Sequence, residues 1–258
     1  MAPAAPSEKE PRPVAGPVAF EEGDFHALSE GLCRNPDYND RRLLARRKLL
    51  ALGKRAVARI KTEEGTALDS RTSLHNPNTF NGMRVRRLWA YLTRAKAEKR
   101  KLRSILGAEL AKDLDSAYRN AYLCVALEAE ALEVSLRIHP DAWYDGQNLK
   151  NRCEREGVQA WLGLLNELPG YFLRLHDWKG EWRCGELTGG RLEEFLGSWT
   201  PGEHALAVER RWPAPAGNRG AVLDEGVPEA VIDELARLVP LYRFCAWSDE
   251  SSFLFSSD

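Results

Sequence analysis

Nineteen Lys and Arg residues crowd the stretch from Arg41 to Arg103, where Glu63, Glu64, Asp69 and Glu98 are the only acids. Arrays of cations hold phosphate backbones by displacing condensed counterions. Guanidinium groups, which outnumber the lysines here, add a bidentate fork. Twelve residues are the candidate contacts: Arg46, Arg47, Lys48, Lys54, Arg55 and Arg59 on a first expected helix, and Arg86, Arg87, Arg94, Lys99, Arg100 and Arg103 on a second. Two helices with basic outer faces, joined by a polar loop, point to nucleic acid as a partner, with neither DNA nor RNA preferred. The segment carries no zinc-finger, basic-zipper or RNA-recognition pattern.

The rest of the chain compensates for this excess. Residues 1–120 hold 24 Lys and Arg against 15 Asp and Glu, while residues 121–258 hold 13 against 23, so a net charge of −1 conceals +9 facing −10. That balance supplies a second reading, a protein-interaction or assembly subunit. Its basic half would meet an acidic protein surface, within the chain, on a partner, or head to tail in a homo-oligomer.

A second concentration of chemistry lies between Leu136 and Leu149, where His139, Asp141, Asp145 and Asn148 gather after an expected strand. Pro140-Asp141 followed by Asp177-Trp178-Lys179 resembles the Pro-Asp … Asp/Glu-x-Lys arrangement of restriction-type nucleases. That resemblance implies a divalent metal held by Asp141 and Asp177, with Lys179 helping to activate water. Asp177 and Lys179 fall in an expected hairpin turn, and a plainer role for Asp145 is to cap the helix that follows. Without that site no metal or cofactor is expected. Cys153 or Cys184 could be paired with His176 or His204 as a nucleophile and base, though nothing local lowers a thiol pKa. No nucleophile elbow, phosphate loop, dinucleotide fingerprint or zinc-protease pair occurs, so the chain leans away from enzymatic chemistry. Six of the eight tryptophans lie between Trp143 and Trp212, within the acidic half, and a core or interface role is favoured over base stacking.

Hydropathy patterning gives the elements that must position these groups. From Lys48 to Lys61, Leu49, Leu50, Ala56, Val57 and Ile60 fall on one arc, within a helix expected over 41–61. Residues 63–82 read as a long polar loop. Val85, Leu88, Trp89 and Leu92 follow i, i+3, i+4, i+7 and predict a second helix from Met83 to about Arg103, with a third over 108–120. Alternation then takes over: Leu123, Val125 and Leu127, and Leu132, Val134, Leu136 and Ile138, predict a hairpin turning near Ala129. Two short helices over 147–156 and 158–168, a second hairpin about Asp177–Gly180, a helix near 191–196, a strand over 204–212 and a helix opened by Pro228 complete the order.

The fold class is therefore α+β, with basic N-terminal helices followed by an antiparallel sheet of hairpins with interspersed helices. Residues 1–20 form a Pro/Ala-rich tail expected to be disordered. Residues 21–258 form a single globular domain, with a basic helical part (37–120) before an acidic α+β part (121–258). No apolar run approaches the length of a membrane span. The five cysteines are odd in number and never paired as CxxC, which argues against a disulfide framework and for a cytoplasmic location.

Overall fold

The computed structural model describes residues 19–73, 84–176, 182–216 and 219–254. Most of the tail, the segment 74–83 and residues 177–181, where the sequence places Asp177 and Lys179 in a hairpin turn, lie outside these residues. The expected α+β class holds. A seven-stranded antiparallel sheet runs in the order β1-β2-β3-β4-β7-β5-β6. Its strands are β1 (Leu68–Thr72), β2 (Arg87–Arg94), β3 (Tyr122–Glu128), β4 (Ala131–Ile138), β5 (Phe172–Leu175), β6 (Trp182–Arg183) and β7 (Leu206–Pro213). No helix of the described residues is long and apolar enough to cross a membrane.

The longest helix, α2 (Asn39–Glu64), follows α1 (Glu22–His26). Its residues Leu49, Leu52, Ala56 and Ile60 are spaced by three or four and are fully buried against the sheet. Gly65, at φ 65°, ends it in the left-handed conformation that glycine adopts without a Cβ penalty. α7 (Val227–Arg237) lies beside α2 on the same sheet face, with Pro228 in its first turn as the sequence suggests. These two helices cover the face made by Leu88, Leu123, Val125, Val134, Leu136 and Val208.

The expected second basic helix is absent as drawn. Residues 87–94 are strand β2, and helix begins only at α3 (Lys96–Leu110). Leu88 and Leu92 are four apart, which satisfies both a helical stripe and one face of a strand. The choice falls to the neighbours: β3 is buried on both faces and needs a partner for its backbone groups, and β2 supplies it in register from Arg87↔Glu128 to Thr93↔Tyr122. The long loop is shortened by β1, which pairs with β2 from Leu68↔Arg94 to Thr72↔Ala90. The third helix is not separate either. α3 passes a kink at Gly107 and ends at Leu110, and only a short 3-10 turn, Ala117–Arg119, follows.

The first hairpin forms as expected from β3 and β4, and β5 pairs with β6 in the second. α4 (Trp143–Glu156), α5 (Gln159–Asn166), α6 (Gly189–Ser198) and α8 (Val239–Cys245) flank the sheet. Trp161 and Trp199 are fully buried around Phe195, with Trp182 5.3 Å from that ring between centroids, so these tryptophans are core. A smaller cluster of Leu102, Leu106, Ala111, Leu114, Tyr144 and Trp247 seats α3 against α4 and the C-terminal segment.

α2 approaches the sheet closely at Gly53, where an added Cβ would collide with Ser70 Oγ and stand 3.5 Å from Ala90 Cβ. Gly53→Ala is therefore expected to destabilise the fold by about 1–3 kcal/mol. The double variant Gly53→Ala/Ser70→Ala should recover that loss and reveal alanine's helix preference of about 1 kcal/mol over glycine. Chemical denaturation of the three proteins checks this, and equal stability of wild type and Gly53→Ala would refute the close approach.

Candidate nucleic-acid interface

The fold scatters the twelve candidate cations and pairs most of them. On α2, Arg46 is buried and its Nε donates to Thr72 Oγ1 at 3.0 Å. Lys48 is buried between Glu21 and Asp24, at 2.9 and 2.8 Å. Arg55 pairs with Glu229 of α7, and Arg59 pairs with Asp233 of α7 and with Glu63. Beyond α2, Arg86 pairs with Glu30, Arg87 with Glu128 and Glu133, and Arg94 with Asp145. Lys99 is buried 3.8 Å from Asp115, and burial lowers its ammonium pKa against the pull of that carboxylate. Arg47, Lys54, Arg100 and Arg103 remain exposed, with no ion pair among the described residues.

Helical periodicity misplaced Lys48 for a reason that lies outside the helix. The chain before α2 folds back over it, and the fully buried Asp24 of α1 accepts from Lys48 and lies 3.0 Å from Arg41 Nε. Glu21 joins them. Hydrogen bonds from Arg41 and Lys48 hold its carboxyl down at about 2. Arg42, also on α2, is buried and donates to the carbonyls of Ala27, Leu32 and Asn35, clamping the turn between α1 and α2. These acids are far in sequence from the cations they meet.

The sheet's second face carries the largest charged assembly. Register aligns Trp89, Ala126, Glu133 and Arg211 in one row, and Arg71, Tyr91, Cys124, Ser135, Glu209 and Phe172 in the next. Glu133 has no solvent exposure. It accepts from Arg87 at 2.9 and 3.0 Å, from Arg137 at 2.7 Å, from Arg211 at 3.0 Å and from Ser135 Oγ at 2.7 Å. Burial alone would raise its pKa. The Arg137 and Arg87 charges outweigh that cost and hold it well below the usual carboxylate range. Glu128 and Glu209 bridge the outer arginines, with Glu209 3.0 Å from Arg137 and 3.7 Å from Arg174. Alternation of Glu133, Ser135 and Arg137 with apolar neighbours marked this face in the sequence. Only the strand order brings Arg87 and Arg211 to it.

Where β2 begins, Arg84, Arg86, Arg87 and Trp89 line a cleft of about 260 Å³. Among the described residues that line it there is no carboxylate.

Asp145, expected as a helix cap, has a larger role. Its carboxylate accepts from Arg94, from Ala121 N at 2.6 Å and from Trp247 N at 2.8 Å, all in the interior. Asp141 is exposed, on a short 3-10 turn after β4, 3.5 Å from His139 Nδ1. Asp177 and Lys179 lie outside the described residues, and no group of three or more His, Cys, Asp or Glu able to hold a metal occurs among those that are described. All five cysteines are free and buried, and burial pushes the thiols of Cys153 and Cys184 up to about 12. Neither is poised as a nucleophile. His176 and His204 instead face one another, 6.2 Å between ring centroids.

No family model and no curated protein matches the chain.

The lowered carboxyls give the charge network a pH signature. Glu21 and Glu133 have folded pKa values below the ordinary 4.5, so the unfolded chain binds more protons. Their stabilisation is complete above pH 4.5 and is lost as pH falls, between 4.5 and about 2 for Glu21. Unfolding free energy measured across that window should therefore drop as acid is added, and Glu133→Gln, already less stable at neutral pH, should show a shallower drop. A slope identical in the two proteins would contradict the role given to Glu133.

Proposed function

We propose that this is a nucleic-acid-associated binding protein, which holds a phosphate backbone through the cations its fold leaves without carboxylate partners. One observation carries this reading. Arg47, Lys54 and Lys61 are exposed on the outer side of α2, with no ion pair among the described residues, each seven residues from the next. Seven residues are two helical turns, so the three form a single stripe with steps of about 10 Å. Arg100 and Arg103 extend the supply of unpaired cations on α3. Contacts of this kind are indifferent to base sequence. No cofactor or catalytic step belongs to the proposal.

A second reading, an acidic protein partner, is favoured by a different observation. Among the described residues Ile105, Leu110 and Tyr118 are the large apolar side chains left exposed, and Ile105 and Leu110 share α3 with Arg100 and Arg103. Apolar contacts rimmed by arginine suit a protein interface.

Charge reversal separates the two. Arg47→Glu/Lys54→Glu is expected to weaken binding of single- and double-stranded oligonucleotides at low salt by tenfold or more, irrespective of sequence, without lowering Tm. Arg100→Glu/Ile105→Ser would instead abolish a salt-sensitive protein complex. If the first variant binds as the wild type does, the α2 stripe is not the contact. A salt-sensitive rise in mass without retained nucleic acid favours the protein partner.

A further inference from the structure

We propose that the chain associates head to tail, with Ile105 and the basic side chains beside it on α3 of one copy seated in the cleft between α4 and α6 of the next. This rests on the protein-partner reading above and names that partner as a second copy of the chain.

The cleft holds about 300 Å³, at the low end of the roughly 300–1,000 Å³ of pockets that enclose ligands, and so has room for an aliphatic side chain. Among the described residues, α4 lines it with Lys150, Cys153 and Glu154, α6 with Glu193, Leu196 and Gly197, and Val158 joins them from the start of α5. Cys153 is buried and Val158 and Leu196 are half-buried, which gives the cleft an apolar floor. Glu154 and Glu193 are exposed, with no ion pair among the described residues. Lys150 is already engaged: its Nζ donates to the Trp199 carbonyl at 3.2 Å, so the two carboxylates keep their charge for an outside cation. At Gly197 an added Cβ would meet nothing within 4 Å, so the mouth is open there.

α3 carries the complement. Ile105 is 42% exposed, which leaves apolar surface to be covered. Lys101, four residues before it, stands one helical turn away on the same side. Its ion pairs with Glu98 and Asp249 are surface contacts, with Lys101 and Asp249 each more than half exposed, and another carboxylate can replace them. Arg100 and Arg103 are exposed with no ion pair among the described residues. An apolar knob among cations thus matches an apolar floor rimmed by carboxylates. The charge match favours this pairing over α3 on α3 or cleft on cleft, where like charges would meet. Ile105 does not line the cleft of its own chain, so the contact lies between copies. Two different surfaces make it heterologous, and growth continues past the dimer unless a ring closes.

Sedimentation velocity on the full chain, freed of nucleic acid and run over a range of concentrations at low and high salt, tests this. Wild type should form assemblies at low salt that dissociate as salt rises. Ile105→Glu and, separately, Glu154→Lys/Glu193→Lys should each weaken self-association by about tenfold or more. Mixed in equal amounts, the two variants should form a discrete heterodimer, because the first keeps an intact cleft and the second an intact α3. Gly197→Leu, which fills the mouth from a position with room for the side chain, should weaken association with Tm unchanged, and it decides if a charge-reversed variant does not fold. Wild type that stays monomeric overturns the proposal alone. Association that Ile105→Glu abolishes but no cleft variant changes overturns it while leaving the protein-partner reading of α3 standing. Association indifferent to Ile105→Glu overturns both.

Discussion

A buried cation needs carboxylate, carbonyl or hydroxyl partners in the interior, and the Arg94–Asp145 pair meets that demand with a carboxylate that is itself fully buried. Arg94 ends β2, Asp145 lies in the first turn of α4, and the carboxylate also takes the backbone N–H groups of Ala121 and Trp247. Four segments spread across the sequence thus converge on one side chain. Removing either partner would strand a charge in the interior, at a cost of about 3–5 kcal/mol. Tyr144 and Trp247 close over the pair, which explains how α3 and the C-terminal segment come to share a core.

The same constraint organises the charge split. Glu133 gathers arginines from β2, β4 and β7. Arg55 and Arg59 of α2 meet Glu229 and Asp233 of α7, which joins the basic part of the chain to the acidic part across the helix layer. Lys101 of α3 reaches Asp249 at 3.0 Å. Exposed pairs such as these contribute little each, about 0–1 kcal/mol, whereas the buried ones fix register. Much of the apparent basic surface is therefore internal structure. Of the twelve candidate cations, Arg47 and Lys54 on α2 and Arg100 and Arg103 on α3 are left exposed with no ion pair among the described residues.

The sequence showed most of this where one signal acted alone. α2 was legible because its apolar arc has no competing period, and β3 and β4 because strict alternation ran through both strands. β2 was not, since Leu88 and Leu92 fit either period and only the need of β3 for a partner decides. Local patterning also could not see that Glu21 and Asp24 fold over Lys48, or that Glu133 would collect Arg87 and Arg211. Those contacts depend on strand order and on a chain reversal before α2. Asp145 was noticed as polar and near a strand end, but its partners lie 24, 51 and 102 residues away.

The central claim, that the fold uses up most of its basic residues and binds phosphate with the remainder, is tested most directly by the salt dependence of oligonucleotide affinity. Each phosphate neutralised adds about −0.7 to the slope of log affinity against log salt for single strands and about −0.9 for duplex. Four to six unpaired cations predict a slope of about −3 to −5. A slope of about −8 to −11, as if all twelve candidates engaged phosphate, would contradict the account, and so would affinity that does not change with salt.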